Sequence, residues 1–387
     1  MRRPGVVAVT MAVTAILGAC SGSPSAQPEG DPSAAAPKTS PTTSVTPSLT
    51  PAPSLTPAPK PPAKPVWKSF LRQPVDGQHV VTQQRRYLVT RASDQVGTTT
   101  IAARAGGRTV VRHVPPAGFV AQSPVVIDDR WALIQEIRSD GPDRKIRAYR
   151  YDLGSGTKTD LSQTALPPIA EPEIGAYDGT FAYSTTDRQK RSCLVIATLD
   201  SLKARTVTCV DDPAYIADPV VSADAVTFSQ IADPQTPSRC KRLFTVPLAG
   251  GQPRAVPAVA KCIQWSGATL RGATIWSEVS STDPDQYQSK AYLRETADAA
   301  QRPLGNIATD TIVPCGEWIY WQVRTVRDGG ERFQLDRWQS GRSRPETIYS
   351  APADAAVTAP TCQDGIPVIE VAHLGAKPTY TEALQLR

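Results

Sequence analysis

The chain has 387 residues, a formal net charge of +6 and seven cysteines. This length allows one large domain or two ordinary ones. The charge is small for the length and forms no clustered Lys/Arg tract, so nucleic acid is not an expected partner. After the N-terminal region, no stretch approaches the roughly 18 consecutive apolar residues that a transmembrane helix needs.

The first residues have the pattern of an export signal. Arg2 and Arg3 precede an uncharged, mostly apolar run from Gly5 to Gly18. This run is short for a permanent membrane span, and no stop-transfer charges follow it. We therefore predict that residues 1–19 form a signal peptide.

The end of this run, Leu17-Gly18-Ala19-Cys20, resembles the bacterial lipobox. The resemblance implies that Cys20 takes a diacylglycerol and becomes the first residue after cleavage. A lipid (palmitate-type) anchor would then hold the protein on the extracytoplasmic face of the cell membrane, because each buried CH₂ contributes about 0.8 kcal/mol. The alternative is an ordinary secreted protein in which Cys20 stands at the cleavage site by chance.

Residues 21–66 have the composition of a linker. Proline occurs 13 times in these 46 residues, and Ser-Leu-Thr-Pro-Ala-Pro is repeated in tandem at 48–53 and 54–59. So few large apolar side chains cannot form a core, and we predict that the lipidated Cys20 and this segment form a disordered region, 20–66. An extended chain of this length reaches roughly 140 Å at most. A simple tether is favoured over a recognition segment.

Beyond Val66, short β-type runs alternate with turn residues, and no long helical periodicity occurs. One hairpin signal recurs with a period of about 46 residues, which is typical of a four-stranded propeller blade. Its turns fall at positions 84, 129, 178, 224, 272, 316 and 364. A second hairpin follows within each period, as at Gly154-Ser155-Gly156 and at Gly250-Gly251.

Asp-Gly hairpins at Asp178-Gly179 and Asp364-Gly365, combined with a hairpin such as Tyr151-Asp152-Leu153, resemble the TolB-like or PD40 group of propeller repeats. The resemblance covers roughly residues 67–387 and implies an architecture, not a function. We predict an all-β domain, a β-propeller of four-stranded blades. Seven blades are favoured and six are the alternative, with a pair of β-sandwiches as the competing fold.

The last repeat lacks a fourth strand before the chain ends. Residues 67–71 precede the first repeat and can supply that strand. Closing the ring with strands from both ends of the domain would remove an exposed sheet edge.

Removing Cys20 leaves six cysteines, an even number in an exported protein, which predicts disulfides. Two pairs lie equidistant from a predicted turn and so face each other across neighbouring strands. The third pair stands beside equivalent turns of neighbouring repeats, with two free thiols as the alternative there. The predicted pairs are Cys193–Cys209, Cys240–Cys262 and Cys315–Cys362. The spacing of cysteines and the three histidines do not fit a metal site, and no cofactor is predicted.

No sequence motif proposes a catalytic site. Acidic residues recur where one repeat leads into the next, at Glu171, Asp218 and Asp310, and such connections line one mouth of a propeller channel. A partial acid ring would bind a cation or a basic ligand; strand capping and solvation are the simpler interpretation. Phe119 and Tyr215 lie in neighbouring connections as candidate stacking residues, with plugging of a blade edge as the alternative.

These observations favour a non-enzymatic binding or scaffolding module at the cell surface, with an unknown protein or envelope glycan as its partner. The alternative is a hydrolase or lyase that acts on a cell-wall or extracellular polymer through carboxylates in the channel.

Overall fold

The computed structural model describes residues 65–74, 77–94, 96–138, 145–233, 241–258, 264–279, 288–327, 330–376 and 378–386. The predicted signal peptide, Cys20 and nearly all of the predicted linker lie outside these residues, as do Cys240 and Cys262. No helix in the described part of the chain is long and apolar enough to cross a bilayer.

The described residues form 29 strands, numbered here in chain order, and one short 3-10 helix (Leu161–Gln163). They are arranged in seven antiparallel sheets. Blade 1 consists of β2 (Gln78–Gln83), β3 (Tyr87–Ala92), β4 (Thr99–Ala103) and β5 (Thr109–His113). Blade 2 consists of β6 (Val120–Ile127), β7 (Trp131–Arg138), β8 (Lys145–Asp152) and β9 (Lys158–Asp160). Blade 3 consists of β10 (Gly175–Tyr177), β11 (Thr180–Thr186), β12 (Ser192–Thr198) and β13 (Ala204–Val210).

Three further sheets, blades 4 to 6, repeat this order. Blade 4 consists of β14 (Tyr215–Val221), β15 (Ala225–Ile231), β16 (Lys241–Pro247) and β17 (Arg254–Ala255). Blade 5 consists of β18 (Gln264–Leu270), β19 (Ala273–Val279), β20 (Gln288–Arg294) and β21 (Arg302–Ala308). Blade 6 consists of β22 (Val313–Cys315), β23 (Trp318–Arg327), β24 (Gly330–Trp338) and β25 (Glu346–Ser350). Blade 7 contains both ends of the domain, in β26 (Ala355–Val357), β27 (Thr361–Gln363), β28 (Ile366–His373), β29 (Tyr380–Leu386) and β1 (Trp67–Pro74).

The blades form a seven-bladed β-propeller, as the repeat predicted. Their first strands make contacts in the order β2, β6, β10, β14, β18, β22, β27 and back to β2, which closes the inner ring. The six-bladed and sandwich alternatives are therefore wrong. The predicted closure is confirmed, since β1 pairs with β29 from Trp67 opposite Leu386 to Pro74 opposite Tyr380.

Apolar residues fill the seams between neighbouring blades because side chains alternate across each strand. In β11, Phe181 and Tyr183 pack towards blade 2, whereas Ala182 packs towards blade 4. Seven such clusters lie between successive blades. The two predicted Asp-Gly turns have positive φ at both residues, 45° and 70° at Asp178-Gly179 and 52° and 69° at Asp364-Gly365. These angles match the hairpin turn that this dipeptide favours.

Two predicted disulfides are confirmed. Cys193 and Cys209 face each other on β12 and β13, with an S–S distance of 2.04 Å. Cys315 and Cys362 join β22 of blade 6 to β27 of blade 7. The first disulfide therefore staples one blade, and the second joins neighbouring strands of the inner ring.

Candidate functional site

The first strand of blade 4 begins earlier than the sequence predicted. Asp218 was expected in the connection before the strand, but it lies within β14, at a register shift between Ala217 and Val220. Pro219 has no N–H to donate to the ladder, and the chain bulges there. Asp218 takes the left-handed conformation, with φ of 49°, which aspartate tolerates better than most residues.

The bulge turns the Asp218 carboxylate towards two donors. Lys241 Nζ lies 2.7 Å from Asp218 Oδ2, and Ser229 Oγ donates to the same oxygen at 2.9 Å. The Lys241 side chain is only 9% exposed, and that of Asp218 is 34% exposed. A lysine this well buried needs a counter-charge, which Asp218 supplies.

A tryptophan and a second carboxylate extend the cluster into blades 5 and 6. Lys241 Nζ lies 4.6 Å from the centroid of the Trp265 ring, within cation–π range. Trp265 Nε1 donates to Asp310 Oδ2 at 2.8 Å. Asp310 lies in the connection from β21 to β22, and its backbone N–H donates a hydrogen bond to Ser266 Oγ at 3.3 Å. We call Asp218, Lys241, Trp265 and Asp310 the mouth cluster.

Burial raises the pKa of the Asp310 carboxyl above its usual range, and the charge of Asp218 adds to this rise. The Trp265 hydrogen bond and the Lys241 ammonium group act in the opposite direction on that pKa. Asp310 is an exposed residue, so its carboxyl keeps contact with solvent and does not lie in the core. The cluster thus combines one carboxylate paired with an ammonium group and one carboxyl that holds its proton more tightly than usual.

The other predicted site residues do not take part in these contacts. Glu171 lies half-buried in the connection between β9 and β10, and Tyr215 is the first residue of β14, paired with Ile231. Phe119 is only 4% exposed, and the guanidinium carbon of Arg147 lies 4.1 Å from its ring centroid. Its ring is therefore buried against the Arg147 guanidinium and is not an exposed stacking surface. A ligand-binding role for these three residues remains a prediction.

Sequence reasoning missed Lys241 and Trp265. Trp265 stands 47 residues after Asp218 and 45 before Asp310, close to the blade period. Alignment of the repeats on these positions would have placed the tryptophan between the two acids. Lys241 comes from a third strand, β16, and gave no signal in the sequence.

A second polar network is buried between blades 1 and 2. His113 Nδ1 lies 2.8 Å from Tyr151 Oη, and His113 Nε2 lies 3.1 Å from Glu136 Oε2. Tyr149 Oη donates to Glu136 Oε1 at 3.1 Å. Burial and the charge of Lys158 lower the pKa of His113 to about 4. Burial raises the pKa of Glu136.

A neutral His113 fits this network as a bridge. Its Nε2–H donates to Glu136, and its Nδ1 accepts from the Tyr151 hydroxyl. The His113 and Glu136 side chains are 2% and 0% exposed, so the pair cannot meet a ligand directly. We regard it as structural.

At the Asp-Gly turn end of the blades, five aspartates line an open cavity of about 580 Å³: Asp128, Asp129, Asp178, Asp200 and Asp364. Several of these carboxylates already accept backbone N–H groups, as Asp128 does from Arg130 and Trp131. Among the described residues, one group of potential metal ligands lies close together, Asp187, Cys193 and Cys209. The two sulfur atoms of that group are joined in a disulfide.

No family model matches the chain, and no curated protein matches it. Solved structures do. One of two prolyl endopeptidases studied for inter-domain dynamics is 10% identical, with a TM-score of 0.54 over 77% of this chain and 46% of that chain. The polysaccharide lyase Uly1 is also 10% identical, with a TM-score of 0.47 over 80% of this chain and 89% of that chain.

The β-propeller domain of the Trilobed protease from Pyrococcus furiosus is 12% identical, with a TM-score of 0.43 over 65% of this chain and 79% of that chain. The chain spans less than half the length of the endopeptidase that it matches. At these identities, the similarity extends to the β-propeller fold and to nothing narrower.

Proposed function

We propose that this chain is a lipid-anchored, extracytoplasmic binding module that holds an envelope ligand at the mouth cluster. The observation that carries the proposal is the convergence of Asp218 and Asp310 on Lys241 and Trp265, from blade 4, blade 5 and the connection between blades 5 and 6. Three of these residues lie on strands, which hold them in fixed positions, and the carboxylates are already engaged with protein groups.

The residue types of the cluster suit a polyhydroxylated ligand, such as an envelope glycan. The half-buried Trp265 ring offers a surface for the apolar face of a sugar. Ionised carboxylates accept hydrogen bonds from hydroxyl groups, and the ammonium group of Lys241 donates them. In each carboxyl, the contacts with described residues given above are made by Oδ2, and in the proposal Oδ1 accepts from the ligand.

Sedimentation with purified peptidoglycan sacculi tests this proposal. Trp265→Ala should reduce the bound fraction of the full chain at least tenfold, since stacking and its neighbouring hydrogen bond are both lost. Trp131→Ala is the matched control. Trp131 also packs beneath cations, Arg130 and Arg150, but it lies in blade 2, at the end of that blade opposite to the end at which Trp265 lies in blade 5. Equal loss in both variants, or binding that neither changes, would contradict the proposal. If the chain captured a protein and not the glycan, the proposed class of ligand would change, but the mouth cluster would remain the proposed site.

The raised pKa of Asp310 beside Asp218 favours one second candidate, a hydrolase or lyase acting on an envelope polymer. Asp310 would be the acid and Asp218 the base or nucleophile. Release of soluble saccharides from sacculi by the wild-type chain, abolished in Asp310→Asn, would support this candidate over simple binding.

The anchor is tested separately. With Cys20 replaced by Ser, the protein should move from the membrane fraction to the medium and should lose incorporation of a labelled fatty acid. Retention of both in Cys20→Ser would refute lipidation at this residue.

A further inference from the structure

Blade 2 has a short fourth strand. β9 contains three residues and pairs only with Tyr149–Tyr151 of the eight-residue β8. In blade 3, by contrast, the fourth strand β13 follows β12 from Ser192 to Ala197. After Asp160, the chain leaves the sheet and enters the 3-10 helix. Residues 145–148 of β8 therefore have no strand of the described chain on their outer side.

A cavity of about 480 Å³ lies along this edge. One wall is formed by Ile146 and Ala148 of β8, and the opposite walls by Leu161, Leu166 and Phe181. The connection that lines it, residues 166–169, is held in place, since Tyr183 Oη donates to the Pro167 carbonyl at 2.9 Å. The volume and the mostly apolar lining are typical of a preformed binding pocket.

The two faces of β8 differ in charge at this edge. Ala148 packs towards blade 3 and Tyr149 towards blade 1, so odd-numbered residues of the strand face blade 1. Arg147 follows that alternation, stacking on Phe119 and lying 3.7 Å from Glu136. Lys145 shares its side of the strand and is exposed.

Lys158 of β9 adds a third cation on the same side, with Nζ 3.6 Å from the Tyr149 ring centroid. Asp160 is the acidic residue that lines the cavity, and Ser162 already occupies its Oδ1 with a backbone N–H at 2.9 Å and a hydroxyl at 2.7 Å. The blade-1 side of the edge thus carries three cations, Lys145, Arg147 and Lys158, against the carboxyls of Glu136 and Asp160, which leaves it with an excess of positive charge, and the blade-3 side is apolar.

We propose that this edge binds an extended peptide that adds to β8 as a fourth strand. Unpaired N–H and C=O groups of a strand edge pair readily with a second strand, and pockets on alternate sides select its side chains. Because the residues of the added strand would alternate between a basic and an apolar surface, the peptide alternates acidic with apolar residues. A second copy of this chain fits poorly, since its own β8 edge would bring the same cations together. This surface is distinct from the mouth cluster, and its test does not depend on the proposed glycan ligand.

Binding of a defined probe tests the inference. The probe is a fluorescent, end-capped octapeptide that alternates glutamate with valine, titrated into the full chain and followed by anisotropy. We expect saturable binding and slower amide hydrogen exchange at residues 146–148. N-methylation of alternate peptide bonds should abolish binding, because it removes the donors of one peptide edge. Lysine in place of glutamate should also abolish it.

Lys145→Glu should weaken the probe's binding about fivefold, as expected for an exposed charge pair that becomes repulsive. Lys203→Glu is the matched control, since Lys203 is an exposed lysine beside a turn of blade 3, and it should leave the Kd unchanged. Equal binding of the N-methylated probe, protection elsewhere in the chain, or no binding at millimolar concentration would overturn the inference. Protection of residues 146–148 that rises with protein concentration alone would assign the edge to self-association and would also overturn it.

Discussion

The ion pair within the mouth cluster leads to a quantitative prediction about stability. Lys241→Met keeps the apolar stem of the side chain and removes the charge, while Asp218→Asn keeps a residue that tolerates the left-handed backbone at this position. Breaking one side of a fully buried pair costs about 3–5 kcal/mol, and breaking an exposed pair costs about 0.2–1 kcal/mol. With side chains 9% and 34% exposed, this pair lies between those limits.

We therefore expect each single variant to lower the free energy of unfolding by about 2 kcal/mol. The double variant should cost less than the sum of the two by about 1–2 kcal/mol, because the charge left unpaired in each single variant is then absent. Guanidinium titration followed by both tryptophan fluorescence and circular dichroism gives these values, provided that the two transitions coincide.

Arg271 and Glu317 provide the matched control. Their charged atoms are 2.6 Å apart, close to the 2.7 Å of Lys241 and Asp218, but both side chains are more than half exposed. The cycle of Arg271→Met and Glu317→Gln should give a coupling energy below about 0.5 kcal/mol. If the two cycles gave equal coupling energies, or if the Asp218–Lys241 variants were simply additive, burial would not be what strengthens the pair.

Three further predictions concern stability. Replacing Cys315 and Cys362 by Ser opens a loop with a sequence separation of 47 and should lower the free energy of unfolding by about 4 kcal/mol. The same replacement of Cys193 and Cys209, with a separation of 16, should lower it by about 3 kcal/mol, and thermal unfolding of the two double variants compares these losses. His113 has a pKa of about 4 in the folded protein against 6.5 in the unfolded chain, so the unfolded chain binds the extra proton first and the free energy of unfolding falls as the pH drops from 6.5 to 4. Over this range the wild type should lose about 2 kcal/mol more than His113→Gln, and parallel curves of stability against pH for the two proteins would refute this prediction. A Cβ at position 175 would lie 2.2 Å from the Pro219 carbonyl oxygen, so Gly175→Ala should cost about 1–3 kcal/mol in guanidinium titrations, and a stability within 0.5 kcal/mol of wild type would contradict that close approach.

The repeated pattern made the architecture predictable because each blade uses the same local rules. An Asp-Gly turn favours a hairpin, and strand alternation buries one row of side chains against each neighbour. The Cys193–Cys209 pairing also followed from spacing, since residues opposite each other on a hairpin are equidistant from its turn. Closure by residues 67–71 followed from the missing last strand.

The position of Asp218 within β14 could not be predicted from the hairpin pattern. Its placement depends on a bulge at Pro219, which lets Tyr215–Ala217 pair with β15 before the strand is interrupted. A proline after an acidic residue normally indicates a connection between elements, and the sequence was interpreted in that way. Long-range pairing of Tyr215 with Ile231 extended the strand beyond that local signal.

The candidate site was only half predictable for a related reason. The sequence placed Asp218 and Asp310 at a channel mouth, but it did not identify the residues that join them. These residues, Lys241 and Trp265, come from strands at different positions in their blades. Lys241 opens β16, the third strand of blade 4, and Trp265 lies in β18, the first strand of blade 5. Nothing in the local sequence of Lys241 distinguishes it from a solvated lysine.

A propeller can bring distant residues together at one place without any sequence motif, and the mouth cluster shows how. First strands of successive blades lie side by side around the channel, as β14, β18 and β22 do. Residues that share a position in the repeat are therefore brought to one mouth, although about 46 residues separate them along the chain. Asp218, Trp265 and Asp310 are related in this way, so their chemistry depends on the period and not on adjacency. If the mouth cluster holds a ligand as proposed, exchange of residue types at these three repeat positions would alter the ligand, and at Asp218 it would also cost stability, because Asp218 pairs with the buried Lys241.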